Sequence, residues 1–222
     1  MVTIGIIGIG GVGPEILPHV PWTLEQFDSA MAAQNPRLVY VESEPEADHY
    51  AGHDLISMEA FKALTPGETL FNVGVADGLV RKRLTEELEA RGFRLLDVFN
   101  RRHECLAQNS IGPGRMIGRS GVSVNVQAGR SLLVLGASLI GQNCVLGDYV
   151  TIGSQVCIEH THIGDYAQVW NGAIVTPGTT EKPRRIGKGA IIGMGAYIDE
   201  DVPDGAVMVG NPSRELRRNP VP

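Results

Sequence analysis

The sequence predicts an α/β domain over residues 1–109 followed by a parallel β-helix over residues 110–222. Three observations carry this reading. Apolar strand-like runs alternate with helix-like stretches as far as Phe99, and beyond about Ser110 aliphatic residues recur at every sixth position. In addition, only 5% of the residues are aromatic while 28 are glycine. Few aromatics with abundant Gly, Val and Ile suit short strands and tight corners packed by branched aliphatics, not a helical bundle.

In the first half, Val2–Ile9, Leu38–Val41, Phe71–Val75 and Phe93–Val98 read as strands separated by helices, the grammar of a parallel layer. Thr23-Leu24-Glu25-Gln26 has the form of a capping box, and Leu24, Phe27 and Met31 follow at helical spacing until Pro36 ends the helix. A second helix lines one face with Leu79, Val80, Leu84 and Leu88, and Gly92 lies where a left-handed C-cap is wanted. After the first strand, Gly8-Ile-Gly10-Gly11-Val-Gly13 would let backbone amides approach a phosphate at a helix start. Pro14, Pro18 and Pro21 interrupt the helix that should follow, which argues against a full NAD site.

In the second half, Val134, Ile140, Leu146, Ile152 and Ile158 are each six residues apart, and Gly141, Gly147 and Gly153 directly follow three of them. The aliphatics alone would be weak over all starting frames, but three matched glycines multiply the odds by about 1/500. The series continues as Ile163, Val169, Val175 and as Ile186, Ile192, Ile198. Cys144, Val150, Val156, Ala167, Ala173, Ala190 and Ala196 sit two places before the next aliphatic, which gives each face two inward side chains. Six residues make one short strand and one corner, so three such units close a triangular coil of about 18 residues, stacked at about 4.8 Å on the next. Gly is expected to permit the tight corners. An antiparallel β domain would instead alternate with period two.

The repeat breaks twice. Ile158 to Ile163 is five residues, and the shortened unit reads Ile158-Glu159-His160-Thr161-His162; Val175 to Ile186 is eleven. Solenoids place such irregularities at working surfaces, because the regular coils have no use for them. The long unit, Thr176 to Arg185, gathers positive charge together with Lys188, Arg214, Arg217 and Arg218, and would either hold phosphates or form a solvated loop.

Composition removes other classes. With 19 Lys and Arg against 25 Asp and Glu, the net charge of −6 is wrong for a nucleic-acid or anionic-membrane binder. No apolar run reaches the roughly 20 residues of a membrane span. The opening Met1-Val-Thr-Ile lacks the charged start of a signal peptide, so a soluble cytoplasmic protein is expected. Three cysteines without CxxC spacing, Cys105, Cys144 and Cys157, give neither a disulfide framework nor a structural zinc site.

The segment from Val156 to Asp165, the endings Ile192 to Ile198 and Asp201 to Ser213, and the glycine turn at Gly8 to Gly13 together resemble the bacterial hexapeptide-repeat sugar acyltransferases. That family includes nucleotide-amino-sugar N-acetyltransferases and sialic acid O-acetyltransferases. The resemblance implies a Rossmann-like first domain, a left-handed β-helix, a homotrimer, acetyl-CoA as donor, and a site in the groove between neighbouring β-helices. Aligned forward from Ile158-Glu159, His160 is the general base; aligned backward from Ile163-Gly164-Asp165, His162 is nearer, and the forward alignment is adopted. An imidazole suits the task, since near neutral pH it can accept a proton from a hydroxyl or ammonium and return one to a thiolate. Members carry an acidic residue after the His where this chain has Thr161, so Glu159, Asp165 or Gln142, one coil below, would stand in. Family position makes Gln168, Gly178 and Met194 contacts to the pantetheine arm of acetyl-CoA. It makes Gly10, Gly11, Val12, Glu42 and Asp77 contacts to a sugar or nucleotide-sugar acceptor, with Val12 standing where many members have His.

Alternatives remain for each part. His162 is a second base, a substrate contact or an exposed side chain. Two close histidines also suit zinc, as in β-helical carbonic anhydrases, but His19, His49, His53 and His103 all lie outside the repeat and no metal is expected. The first domain could be a packing layer with a degenerate pocket, and the whole chain a non-catalytic trimeric sugar-binding scaffold.

Overall fold

The computed structural model describes residues 1–106 and 108–221. They form two compact units, residues 1–76 with 80–101, and residues 77–79 with 102–222.

The first unit holds β1 (Thr3–Ile7), β2 (Arg37–Glu42), β3 (His49–Tyr50), β4 (His53–Ser57), β5 (Thr69–Val73) and β6 (Arg94–Leu95) in the order β3-β4-β2-β1-β5-β6. All pairings are parallel except the β3–β4 hairpin, which the strand pattern did not announce. Central β1 is buried along its whole length, as a parallel strand covered on both faces should be. One face packs Val39, Val41, Phe71 and Val73 against Met58, Phe61 and Leu88. Full burial of a ring such as Phe61 contributes about 1.5–3 kcal/mol.

The helical segment after β1 differs from the sequence expectation. Thr23 does not cap a helix. It lies inside the helix Val20–Phe27, its hydroxyl bonding the His19 and Phe99 carbonyls at 2.9 and 3.1 Å. Asp28 breaks the run and caps the next short helix, Ser29–Ala32, by accepting from Met31 N at 3.0 Å. Phe27 is consequently 63% exposed and Leu79, at the start of the helix Gly78–Ala90, 44% exposed. Each proline sits at the start of its own segment, where its missing N–H is no loss.

The second unit is a three-sided parallel β-helix. One face stacks Met116–Ile117, Leu133–Val134, Thr151–Ile152, Gln168–Val169, Ile191–Ile192 and Ala206–Val209. The next stacks Glu104–Cys105, Gly121–Val122, Leu139–Ile140, Cys157–Ile158, Ile174–Val175 and Tyr197–Ile198. The third stacks Ser110–Ile111, Gln127–Ala128, Val145–Leu146, Thr161–Ile163 and Arg184–Ile186. Both inward ladders named from the sequence are buried: each aliphatic of the six-residue series from Val134 to Ile198, and each small partner named from Cys144 to Ala196, is at most 4% exposed. The first coil begins before residue 110, since Glu104–Cys105 already pairs with Gly121–Val122. A five-residue unit from Ile117 to Val122 hides that coil from a search for sixes. The last strand, Arg214–Arg218, folds back antiparallel on Ala206–Val209 after a cis Asn211-Pro212 bond.

The corners bear out one expectation only in part. Left-handed backbone recurs at Asn125, Ser131, Ala137, Asn143, Tyr149, Gln155, His160 and Tyr166 in the earlier coils, and at Gly172, Gly189 and Gly195 in the later ones. Other glycines serve close approach: a Cβ at Gly141 would lie 2.8 Å from the Ile158 carbonyl oxygen, and one at Gly153 2.6 Å from Asn171 N. Each corner thus needs a bare Cα where the next coil stacks and a residue tolerant of positive φ beside it.

Candidate functional site

Both breaks in the repeat fall on the same edge of the β-helix. The shortened unit turns from Cys157–Ile158 on the second face to Thr161–Ile163 on the third, and the long unit makes the same turn one coil later. His160 takes the left-handed corner position, φ 45°, and donates its N–H to the Gln142 carbonyl at 3.0 Å. Its own carbonyl accepts from Gly178 N at 3.3 Å and Arg184 N at 2.9 Å, so the inserted loop is clamped over the histidine. A β-carbon on Gly178 would collide with Arg184 N, which is why the loop needs glycine there.

The ring of His160 is partly exposed and meets side chains from both neighbouring coils. Gln142 Nε2 lies 3.3 Å from its Nε2 and Thr180 Oγ1 3.4 Å from its Nδ1. The 18-residue spacing announced Gln142; nothing in the spacing announced Thr180. Neither acidic candidate reaches the ring. Glu159 is exposed, and Asp165 accepts from Asp148 N at 2.9 Å. Thr161 is buried and donates to the Glu159 carbonyl at 2.8 Å, bracing the shortened turn from inside.

His162 lies mid-strand between Val145 and Arg185. Burial, and then the Arg185 charge, hold its pKa below the ordinary imidazole value. It lines an open cavity of about 460 Å³ with Arg185, Lys188, Asp201 and Asp204. The two carboxylates there accept from the backbone N–H groups of Arg185 and Lys188 at 3.0 and 2.8 Å, so the lining carries acidic and basic groups side by side. Among the described residues, no group of three or more His, Cys, Asp or Glu side chains is placed to hold a metal ion.

The remaining candidates are dispersed. Gln168 lies on the first face, lining a small cavity with Asp77 and Tyr166. Met194 projects from a different corner, 69% exposed. Within the first unit, Glu42 Oε1 accepts from Ile9 N at 2.6 Å, so this carboxylate braces the glycine turn. Gly10 and Gly11 are exposed with open space beside them, while Val12 is buried. Asp77 caps the helix Gly78–Ala90 by accepting from Leu79 N at 2.9 Å. Cys144 is inert: burial pushes its thiol up to about 11.

No protein-family model matches the chain. It is 30% identical over 218 residues to a GDP-perosamine N-acetyltransferase of Escherichia coli O157:H7, covering 97% of each protein. The solved structure of WeeI from Acinetobacter baumannii superposes with a TM-score of 0.88 at 29% identity, over 97% of this chain and 100% of that one. The acetyltransferase domain of PglB from Neisseria gonorrhoeae, in complex with acetyl coenzyme A, shares the fold with a TM-score of 0.80 at 22% identity, over 96% and 98% of the two chains. End-to-end likeness of this kind, on a β-helix whose repeat slips at one histidine corner, places the protein: the chain belongs to the hexapeptide-repeat bacterial sugar acyltransferases and is an acyltransferase.

Proposed function

We propose that the chain transfers an acetyl group from acetyl-CoA to an amino or hydroxyl group of a nucleotide-linked sugar, with His160 as general base. The observation that carries this reading is the His160 corner, where a strained left-handed residue presents its ring beneath an ordered loop. As the acceptor nitrogen or oxygen bonds to the acetyl carbonyl carbon, its proton passes to the imidazole. The carbon–sulfur bond then breaks and the proton passes on to the departing thiolate. Lys182, Arg185 and Lys188 suit the phosphates of the donor, and Gly178, packed against the His160 carbonyl, leaves room for its pantetheine arm.

In this reading residues 1–109 form a Rossmann-like acceptor domain, using the turn at Gly10 and Gly11 with Val12, Glu42 and Asp77. The relative's action on a GDP-linked sugar supports a nucleotide-linked acceptor. The β-helix winds left-handed and assembles as a homotrimer. Two observations support the assembly. Gln168, Gly178 and Met194 lie on different sides of one β-helix, so a single copy does not gather them. The second face also turns Leu139, Cys157 and Ile174 outward, with Leu139 44% and Ile174 52% exposed, an apolar row suited to a neighbouring copy. His162 contacts substrate and is not the base.

Free-thiol release from acetyl-CoA, measured across nucleotide-linked amino and hydroxy sugars, tests the reading. Thiol release with one class of acceptor, lost in His160→Ala, is expected. Sugar binding by calorimetry without thiol release would identify a non-catalytic scaffold instead.

A further inference from the structure

A general base needs its ring fixed, and in this chain the adjacent residue cannot do it, because Thr161 is turned inward onto the Glu159 carbonyl. The ring is held from the coils above and below. Stacking delivers Gln142 from below, and the insertion delivers Thr180 from above. The loop that carries Thr180 is tied shut. Thr179 N donates to the Lys182 carbonyl at 2.9 Å, Lys182 N to Thr179 Oγ1 at 3.0 Å, and the Arg184 guanidinium to the Thr176 carbonyl and hydroxyl, each at 3.1 Å. These bonds order the loop on either side of Thr180 and so set where its side chain meets the ring.

With the amide nitrogen of Gln142 assigned to the atom nearest the ring, His160 Nε2 is the acceptor. Nδ1 then carries the proton and faces the Thr180 oxygen. We infer that Thr180 is a positioning residue: by accepting from Nδ1 it holds His160 in the Nδ1–H tautomer, so that Nε2 takes the proton of the acceptor once the bound acceptor displaces the Gln142 amide. The inference rests on His160 being the base. The charged and titratable groups on the elements packed against the ring are Glu159 and His162 on its own coil, and Glu181, Lys182 and Arg184 on the loop. None of them hydrogen-bonds or ion-pairs with the ring among the described residues, and Arg184 is committed to Thr176 and Asp201. A hydroxyl orients the imidazole without attracting the charge it gains on protonation, whereas a carboxylate would do both.

The test is the pH profile of kcat and kcat/KM for Thr180→Val, Thr180→Ser and Thr180→Asp, with His160→Ala alongside. Thr180→Val is expected to lower kcat about tenfold with KM nearly unchanged, and Thr180→Ser to restore it, on the scale of one lost hydrogen bond. Thr180→Asp is expected to move the acid limb of the profile up by about one pH unit. An unchanged kcat in Thr180→Val, or an unmoved acid limb in Thr180→Asp, overturns the inference. If His160→Ala retains turnover, the base assignment itself has failed; if it abolishes turnover while the Thr180 variants stay silent, only the positioning role has failed. Thr180 is exposed, so all three variants should fold, and equal melting temperatures verify this.

Discussion

Two edges of the β-helix start from the same backbone and come to different ends. On the edge of Tyr149 and Tyr166 both residues are left-handed, with φ of 57° and 61°, and the units that turn there, Leu146 to Ile152 and Ile163 to Val169, each keep six residues. Their rings stack with centroids 6.0 Å apart, and the Lys188 ammonium sits 5.4 Å from the Tyr166 centroid. Asp165 caps Asp148 N and Asp148 caps Arg130 N, both at 2.9 Å, so each coil closes the one beside it. On the edge of His160 the backbone is again left-handed, but one coil is short and the next is long. Neighbours there can no longer stack in kind, and the ring nitrogens are left to meet unlike side chains. Regularity makes a scaffold; in the function proposed above, its failure at one edge makes the site.

If that division of labour is right, the two edges should respond oppositely to truncation. Tyr149→Ala removes a ring that is 2% exposed and should lower stability by about 3 kcal/mol or more, read by urea unfolding, while the folded fraction keeps its specific activity. His160→Ala should do the reverse, with acyl transfer down at least about 100-fold and the unfolding midpoint unchanged. A large loss of stability in His160→Ala would erase the distinction. Asp165→Ala removes one cap from the regular edge and should lower stability by about 1 kcal/mol, again without touching turnover. The smallest effect concerns His162. Its folded pKa is held below the ordinary 6.5, so the unfolded chain binds a proton first as pH falls. That contribution to stability is complete above the unfolded value and is lost as pH drops through the lowered folded one. Melting temperatures between pH 7 and 5 should therefore fall less steeply in His162→Gln.

Much of the β-helix was legible, because each coil must fill the same narrow interior and only aliphatic or small residues fit. Val134 to Ile198 declared themselves for that reason. The coil from Cys105 to Val122 did not, since its five-residue unit breaks the count, although Gly112 and Gly118 follow Ile111 and Ile117. Glycine was read as the corner residue by its freedom of φ; that holds at Gly172, Gly189 and Gly195, whereas earlier coils place Asn143, Tyr149 and Gln155 at positive φ and use glycine where coils touch. In the first unit, Thr23 imitated a cap because local spacing cannot reveal a distant partner, here Phe99. Gln142 followed from the period. Thr180 could not, as the path of an insertion depends on bonds such as those of Arg184 that no periodicity encodes.

The fold-back of Arg214–Arg218 on Ala206–Val209 bears on solubility. A stack of parallel coils ends in a row of unpaired amides that could template growth by a further chain. On the first face that row is occupied by a reversed strand, exposed along its length and bearing Arg214 and Arg217 beside the Glu215–Arg218 ion pair. The reversed strand thus closes the open edge of that ladder with charged, exposed residues, the arrangement that blunts edge-to-edge pairing.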